Sequence, residues 1–127
     1  MKYAIIADIH ANWEGLQTVL ADAQANKVTH YACLGDVVGY GPNPVECLET
    51  IRALNCPVVM GNHDDRSVYR SVFHPDGPPS PDPLYRAFDH GPWRFILLDS
   101  HVPGKVEGRV DTAQLAWLDA ELAAHPR

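Results

Sequence analysis

The chain has 127 residues and a formal net charge of −6, and 46% of its residues are hydrophobic. This is the size and composition of one globular domain, which we expect to span residues 1–127, rather than of a disordered or fibrous chain. No apolar run approaches the roughly 20 residues that cross a bilayer, and Asp8 interrupts the first apolar stretch too early for a signal peptide. We therefore expect a soluble, cytoplasmic protein without membrane contact.

Charge and cysteine content exclude two further classes of site. An acidic chain lacks the clustered Lys and Arg of a broad nucleic-acid-binding face, so we expect no stable nucleic-acid partner. The three cysteines, Cys33, Cys47 and Cys56, are an odd number without Cys-x-x-Cys spacing. This pattern favours free, buried thiols over a disulfide framework or a thiolate zinc site.

The first sixty residues alternate strand and helix patterns. Apolar runs at 3–9, 31–34 and 57–60 predict three strands, the first of them buried on both faces. Helical spacing separates the strands, with Asn12 as the N-cap of the first helix. The apolar positions of the two helices are Leu16, Val19, Leu20 and Ala23, then Cys47, Leu48, Ile51 and Leu54. The order β-α-β-α-β predicts parallel strands with right-handed crossovers.

The second half has a different pattern. A short helix is predicted within 62–73, an exposed proline-rich loop follows at 74–83, and two strands joined by a tight turn lie at 84–90 and 93–99. Asp111 and Gln114 suit the N-cap and N3 positions of a last helix. Its predicted core-facing residues are Leu115, Leu118 and Leu122.

Polar side chains follow each of the first three predicted strands. Asp8 and His10 follow the first strand, Asp36 the second and Asn62 the third. Because the carboxyl ends of neighbouring parallel strands share one sheet edge, we expect these side chains to converge. Hard oxygens mixed with an imidazole suit Mn²⁺, Fe or Zn²⁺.

Each of these residues also has a purely structural interpretation. Asp8 is a common turn residue, His10 is compatible with a hydrogen-bonded loop histidine, and Asn62 is suited to cap the following helix. Three polar clusters at three successive strand ends favour the metal site. Among the remaining histidines, His101 is the best candidate for a further ligand, since it follows the strand that ends at Asp99.

The ordered motifs resemble those of the calcineurin-like metallophosphoesterase superfamily. They are Asp-x-His at 8–10, Gly-Asp-x-x-Gly at 35–39 and Gly-Asn-His-Asp at 61–64. Residues 8–12 and 34–44 resemble the small bacterial and archaeal phosphodiesterase branch. Residues 61–66, 95–104 and 114–118 resemble the cyclic-nucleotide and glycerophosphodiester phosphodiesterases. The resemblance implies an α/β fold: the β-α-β-α-β start of a two-sheet sandwich with flanking helices.

The resemblance also implies a role for each motif residue and two divalent metal ions. Asp8 and His10 would bind the first metal, Asp36 would bridge both ions, and Asn62 would bind the second. His63 would assist the leaving group and Asp64 would orient its ring; we count these two as the catalytic residues.

Two departures from the family pattern shape the expectations. The two halves resemble different branches, which suggests an engineered or reconstructed chimera. The chain also ends before a further His-bearing strand and the Gly-His-x-His motif of the family, so the C-terminal strands of the sandwich and some ligands of the second metal are missing. An uncovered sheet edge predicts a homodimer.

The resulting functional expectation is a metal-dependent phosphoesterase that hydrolyses small phosphodiesters or phosphomonoesters through a metal-activated hydroxide. Its activity is expected to be weakened by the missing ligands. The alternative is a metal-binding fold fragment with little or no catalysis.

Overall fold

A computed structural model describes residues 1–73, 75–76 and 83–126. Most of the segment predicted as a proline-rich loop, including His74, lies outside these residues. No helix in the described part of the chain is long and apolar enough to cross a membrane. In chain order the elements are β1 (Tyr3–Ile6), α1 (Trp13–Ala25), β2 (His30–Cys33), α2 (Pro44–Ala53), α3 (Arg66–Phe73), β3 (Arg86–His90), β4 (Trp93–Leu97) and α4 (Thr112–Ala124).

The parallel arrangement predicted for the first half is confirmed. β1 and β2 pair in parallel from Tyr3 opposite His30 to Ile6 opposite Cys33. The predicted third strand lies beside β2 and runs parallel to it, but it pairs through a single bridge between Cys33 and Val58. Pro57 has no N–H to donate, which limits a longer ladder. The carboxyl ends of the three segments therefore lie side by side, as the site requires.

The core lies between these strands and the two crossover helices. Asn12 caps α1 as predicted, since its side chain accepts a hydrogen bond from the Gly15 amide at 2.9 Å. The buried residues of the core cluster are Ile6, Ile9, Leu16, Cys33, Val37, Cys47, Ile51, Val58, Met60 and Tyr69. The prediction that β1 is buried on both faces is wrong. Only one face is buried, because Ile5 is 63% exposed. Side chains alternate along a strand, and no element within the described residues covers Ile5.

The cysteines belong to the fold rather than to a reactive site. All three are free; Cys33 and Cys47 are buried and Cys56 is half-buried. Burial raises the pKa of the Cys33 thiol to about 12. A thiol held in its neutral form is a poor nucleophile and a poor metal ligand.

The predicted hairpin is confirmed as β3 and β4, which pair antiparallel from Arg86 opposite Leu97 to His90 opposite Trp93. Gly91 takes the positive φ of 58° that the tight turn requires. The Tyr3 ring packs against His90 and Phe95, with centroid distances of 5.6 and 5.5 Å. These ring contacts join the hairpin to the start of β1.

A buried carboxylate, Asp99, joins the elements of the second half. It accepts hydrogen bonds from the Arg66 guanidinium, with Nε at 3.0 Å, and from the backbone amides of Leu84 at 2.7 Å and His101 at 2.9 Å. The Asp99 side chain is fully buried and that of Arg66 is 13% exposed. The start of α3, the segment before β3 and the segment after β4 are therefore tied to one charged pair.

The last helix is capped as predicted but is rotated differently. Asp111 accepts a hydrogen bond from the Gln114 amide at 2.8 Å. The buried residue of α4 is Gln114, whose side-chain amide exchanges two hydrogen bonds with the Asp99 backbone. Leu115 and Leu122 are 48% and 55% exposed, so the prediction that they face the core is wrong for these two, whereas Leu118 is half-buried. The polar pair with Asp99 determines the rotation of the helix, and an apolar pattern does not reveal it.

Replacing Asp99 by Asn is expected to lower the free energy of unfolding by about 3–5 kcal/mol, because Arg66 would remain buried without its charged partner. Urea unfolding followed by circular dichroism measures this change. The matched control is Asp89→Asn, which removes the more exposed of the two acidic partners of Arg94 and should leave the midpoint close to wild type. Equal shifts in the two variants would contradict the assigned role of Asp99.

Candidate metal centre

The loops after the strands are held to one another by backbone hydrogen bonds. The His10 amide donates to the Asp36 carbonyl at 2.8 Å, and the Ala11 amide donates to the Val37 carbonyl at 2.9 Å. Residues that follow β1 and β2 in sequence thus meet directly. These bonds bring together, at one sheet edge, three of the four residues predicted to converge: Asp8, His10 and Asp36.

The same loops carry an unusual density of left-handed backbone. Asp8, His10, Ala11 and Asp36 have φ values of 53°, 49°, 56° and 51°. Such conformations cost of the order of 1–3 kcal/mol each for non-glycine residues, and they concentrate where a site needs a particular geometry. The strained positions coincide with three of the four predicted metal ligands.

Three of the predicted ligands lie close together: Asp8, His10 and Asp36 each offer one ligand atom, and these atoms all lie within 4.8 Å of one another. Asp8 is exposed, His10 is half-buried and Asp36 is buried. Nε2 of His10 is 3.8 Å from Oδ1 of Asp8. Nδ1 of the same ring is 3.4 Å from the Val38 carbonyl, which favours a proton on Nδ1 and a lone pair on Nε2. Two carboxylates and one oriented imidazole fit a divalent cation.

Glycines beside Asp36 leave no room for a side chain. A Cβ placed on Gly61 would lie 2.2 Å from Oδ1 of Asp36, and one on Gly35 would lie 2.0 Å from the Gly61 nitrogen. Asp36 is itself only 5% exposed, and its Oδ1 accepts a hydrogen bond from the His63 amide at 2.8 Å. The two glycines therefore allow the strand ends to approach closely enough to position this carboxylate.

Asp64 is buried beneath the site and binds backbone rather than a side chain. Its Oδ2 accepts hydrogen bonds from the amides of Asp36 at 2.8 Å and Gly61 at 2.9 Å. Burial raises the pKa of Asp64, and these amides oppose the shift. Among the described residues, its hydrogen bonds do not include the His63 ring that it was expected to orient. Asp64 thus acts on the site through the backbone of Asp36 and Gly61.

Asn62 is linked to a loop from the second half of the chain. Its Nδ2 donates to the Val106 carbonyl at 2.8 Å, so Oδ1 is the atom that could serve the predicted role of metal ligand. The loop is closed at its base by a 2.7 Å hydrogen bond from the Arg109 amide to the Ser100 carbonyl. The cap of α3 is not Asn62 but Asp65, which accepts from the Val68 amide at 3.1 Å and other donors.

His101 does not join the ligand group within the described residues. Its amide donates to Asp99, and its Nδ1 is buried without a hydrogen-bond partner in that part of the chain. Its predicted role as a spare ligand stays a prediction.

His63 lies beside His10, with ring centroids 5.5 Å apart. A third ring, that of Tyr40, contacts both: its centroid is 5.0 Å from that of His10 and 5.5 Å from that of His63. The Tyr40 hydroxyl is 3.5 Å from Nδ1 of His63. Sequence reasoning did not single out Tyr40, although a large aromatic residue between two glycines, in a loop that follows a metal motif, is a usable indication.

Comparison with known families agrees with this geometry. The family model for calcineurin-like phosphoesterases matches residues 1–115. The chain belongs to the calcineurin-like phosphoesterase family. The family resemblance predicted from the three motifs is therefore confirmed.

Curated relatives match about half of this chain. An uncharacterised protein of Methanocaldococcus jannaschii is 56% identical over 61 residues, which are 48% of this chain and 25% of that protein. A cAMP/cGMP dual specificity phosphodiesterase of Mycobacterium tuberculosis is 48% identical over 65 residues, which are 51% of this chain and 20% of that protein. The chain thus matches only a minor part of the length of these relatives.

A solved structure shares most of the fold. YfcE, a phosphoesterase from E. coli, superimposes with a TM-score of 0.56 at 22% identity, over 87% of this chain and 64% of YfcE. At this identity the match concerns the fold alone. It confirms the predicted α/β class.

Proposed function

We propose that this chain carries the metal-binding and catalytic part of a metal-dependent phosphoesterase that hydrolyses small phosphodiesters or phosphomonoesters. The observation that supports the proposal is the group of ligand atoms from Asp8, His10 and Asp36, within 4.8 Å of one another, in a member of this family. The names of two relatives, a cyclic-nucleotide phosphodiesterase and a glycerophosphodiester phosphodiesterase, support the diester class.

Asp8 and His10 would hold one divalent ion, Asp36 would be shared, and Asn62 would contribute to a second. Mn²⁺, Fe and Zn²⁺ suit this mixture of oxygen and imidazole donors. Such ions, when bound, polarise the phosphoryl group and lower the pKa of water. The carboxylate of Asp36 suits the shared position because it has two oxygens to offer.

His63 is the proposed proton donor to the departing ester oxygen as the P–O bond breaks. Its amide is fixed on Asp36, and its ring contacts His10. A proton source is needed at this point because an alkoxide is a poor leaving group. Asp64 would support catalysis by holding the backbone amides of Gly61, two residues before His63, and of Asp36, which binds the His63 amide.

Replacing Asp36 by Asn is expected to abolish most Mn²⁺ binding and all metal-dependent hydrolysis, because the shared ligand would lose its charge and one of its oxygens. Metal content by elemental analysis and hydrolysis of bis(p-nitrophenyl) phosphate, with and without chelator, test this expectation. Asp89→Asn is the control, since Asp89 lies on the hairpin strand β3. Wild-type stoichiometry and rate in Asp36→Asn would contradict the two-metal proposal. Metal binding without any hydrolysis in the wild type would favour the alternative of a non-catalytic metal-binding domain.

Replacing His63 by Ala is expected to leave the metal content nearly intact and to slow hydrolysis of alkyl esters by about 10²–10⁴-fold. Esters of p-nitrophenol should be affected far less, because this leaving group needs no proton. Rates on the two substrate types, measured with the same metal-loaded protein, make the comparison. Equal losses on both would assign His63 to binding instead of proton transfer.

We further propose that the chain forms a homodimer. Large apolar side chains remain exposed on α4 and on the adjoining hairpin, among them Leu122 at 55% and Trp93 at 61%. A salt bridge between Arg94 and Glu121 joins these two elements, so the exposed residues lie on connected structure. Light scattering coupled to size exclusion should give twice the 14.0 kDa mass of the chain. A monomer at micromolar concentration that binds no hydrophobic dye would refute the dimer.

A further inference from the structure

Tyr40 is an exposed aromatic residue at the candidate metal centre. It is 82% exposed, although its ring touches those of His10 and His63. The ring is nearly perpendicular to both imidazoles, with interplanar angles of 79° and 74°. One side of the tyrosine therefore contacts two site residues, and most of its surface faces solvent.

The loop that carries Tyr40 packs closely against the backbone of His10. The Gly41 amide donates to the His10 carbonyl at 2.8 Å, and a Cβ on Gly41 would lie 2.5 Å from the same oxygen. Tyr40 itself has a φ of 60°, in the left-handed region that costs energy for a non-glycine residue. Neither burial nor backbone preference accounts for this placement, since the ring is exposed and the backbone is strained.

We propose that Tyr40 is a substrate-binding residue whose ring stacks on a planar group of the phosphoester held at the metal centre, so that the site selects nucleotides over aliphatic esters. The inference rests on the proposed function, because the phosphate of the substrate must lie near Asp8, His10 and Asp36. The solvent-facing part of a ring fixed beside these residues offers such a group a stacking surface. Stacking on a tyrosine requires only a flat π-system and is tolerant of base identity.

The test compares two ligands with the same sugar phosphate, of which only one carries a base. Adenosine 5′-phosphate and ribose 5-phosphate are titrated into Mn²⁺-loaded protein by calorimetry. The wild type should bind adenosine 5′-phosphate more tightly. Tyr40→Ala should weaken its binding by about tenfold or more and change ribose 5-phosphate binding less than twofold.

Two further variants separate stacking from other effects. Tyr40→Phe keeps the ring and should retain the preference for adenosine 5′-phosphate. Trp93→Ala removes another exposed aromatic ring, at the start of β4, and should bind both ligands like the wild type.

The outcomes that overturn the proposal are distinct. They are equal affinity of the wild type for the two ligands, no binding of either ligand, an equal loss for both in Tyr40→Ala, and loss of the preference in Tyr40→Phe. Because the readout is binding, the result does not depend on turnover. Failure of the proposed function would instead appear as wild-type protein that binds the ligands and Mn²⁺ but hydrolyses no ester.

Discussion

The candidate site depends on one buried carboxylate. Oδ2 of Asp64 accepts hydrogen bonds from two backbone amides, those of Asp36 and Gly61. These two residues belong to the turns after two neighbouring strands. Without this acceptor both amides would be buried and unsatisfied, at a cost of about 1–3 kcal/mol each. Because Asp36 in turn accepts a hydrogen bond from the His63 amide, the proposed metal ligand and the proposed proton donor are placed by the same interaction.

This arrangement destabilises the fold locally, and packing elsewhere in the domain offsets the destabilisation. Burial of Asp64 disfavours its charged form, and the left-handed residues around Asp8 and Asp36 add strain. The compensation comes from the apolar cluster beneath the strands, in which side chains such as Ile51 and Leu16 are almost entirely buried. Proteins commonly combine a strained functional site with a well-packed core that supplies the stability.

How much of this could be predicted from sequence differs between the parts of the molecule. Convergence of Asp8, His10 and Asp36 follows from parallel topology, since the carboxyl ends of neighbouring parallel strands share one edge of the sheet. The rotation of α4 could not be predicted, because its buried residue is the polar Gln114, paired with the Asp99 backbone, whereas the leucine pattern points to a neighbouring face. The backbone role of Asp64 was equally hidden, because a Gly-Asn-His-Asp motif does not reveal which donors its acid will meet.

The loop closed by the Ser100 and Arg109 backbones has a consequence for how this site can change. Its two ends are joined to each other, so residues between them can be exchanged or added without displacing the sheet, as is common for surface loops. Yet the Val106 carbonyl in that loop holds the side-chain amide of Asn62. Changes in the sequence of this loop would therefore shift a residue beside the candidate metal centre, while the proposed ligands at the strand ends stay unchanged.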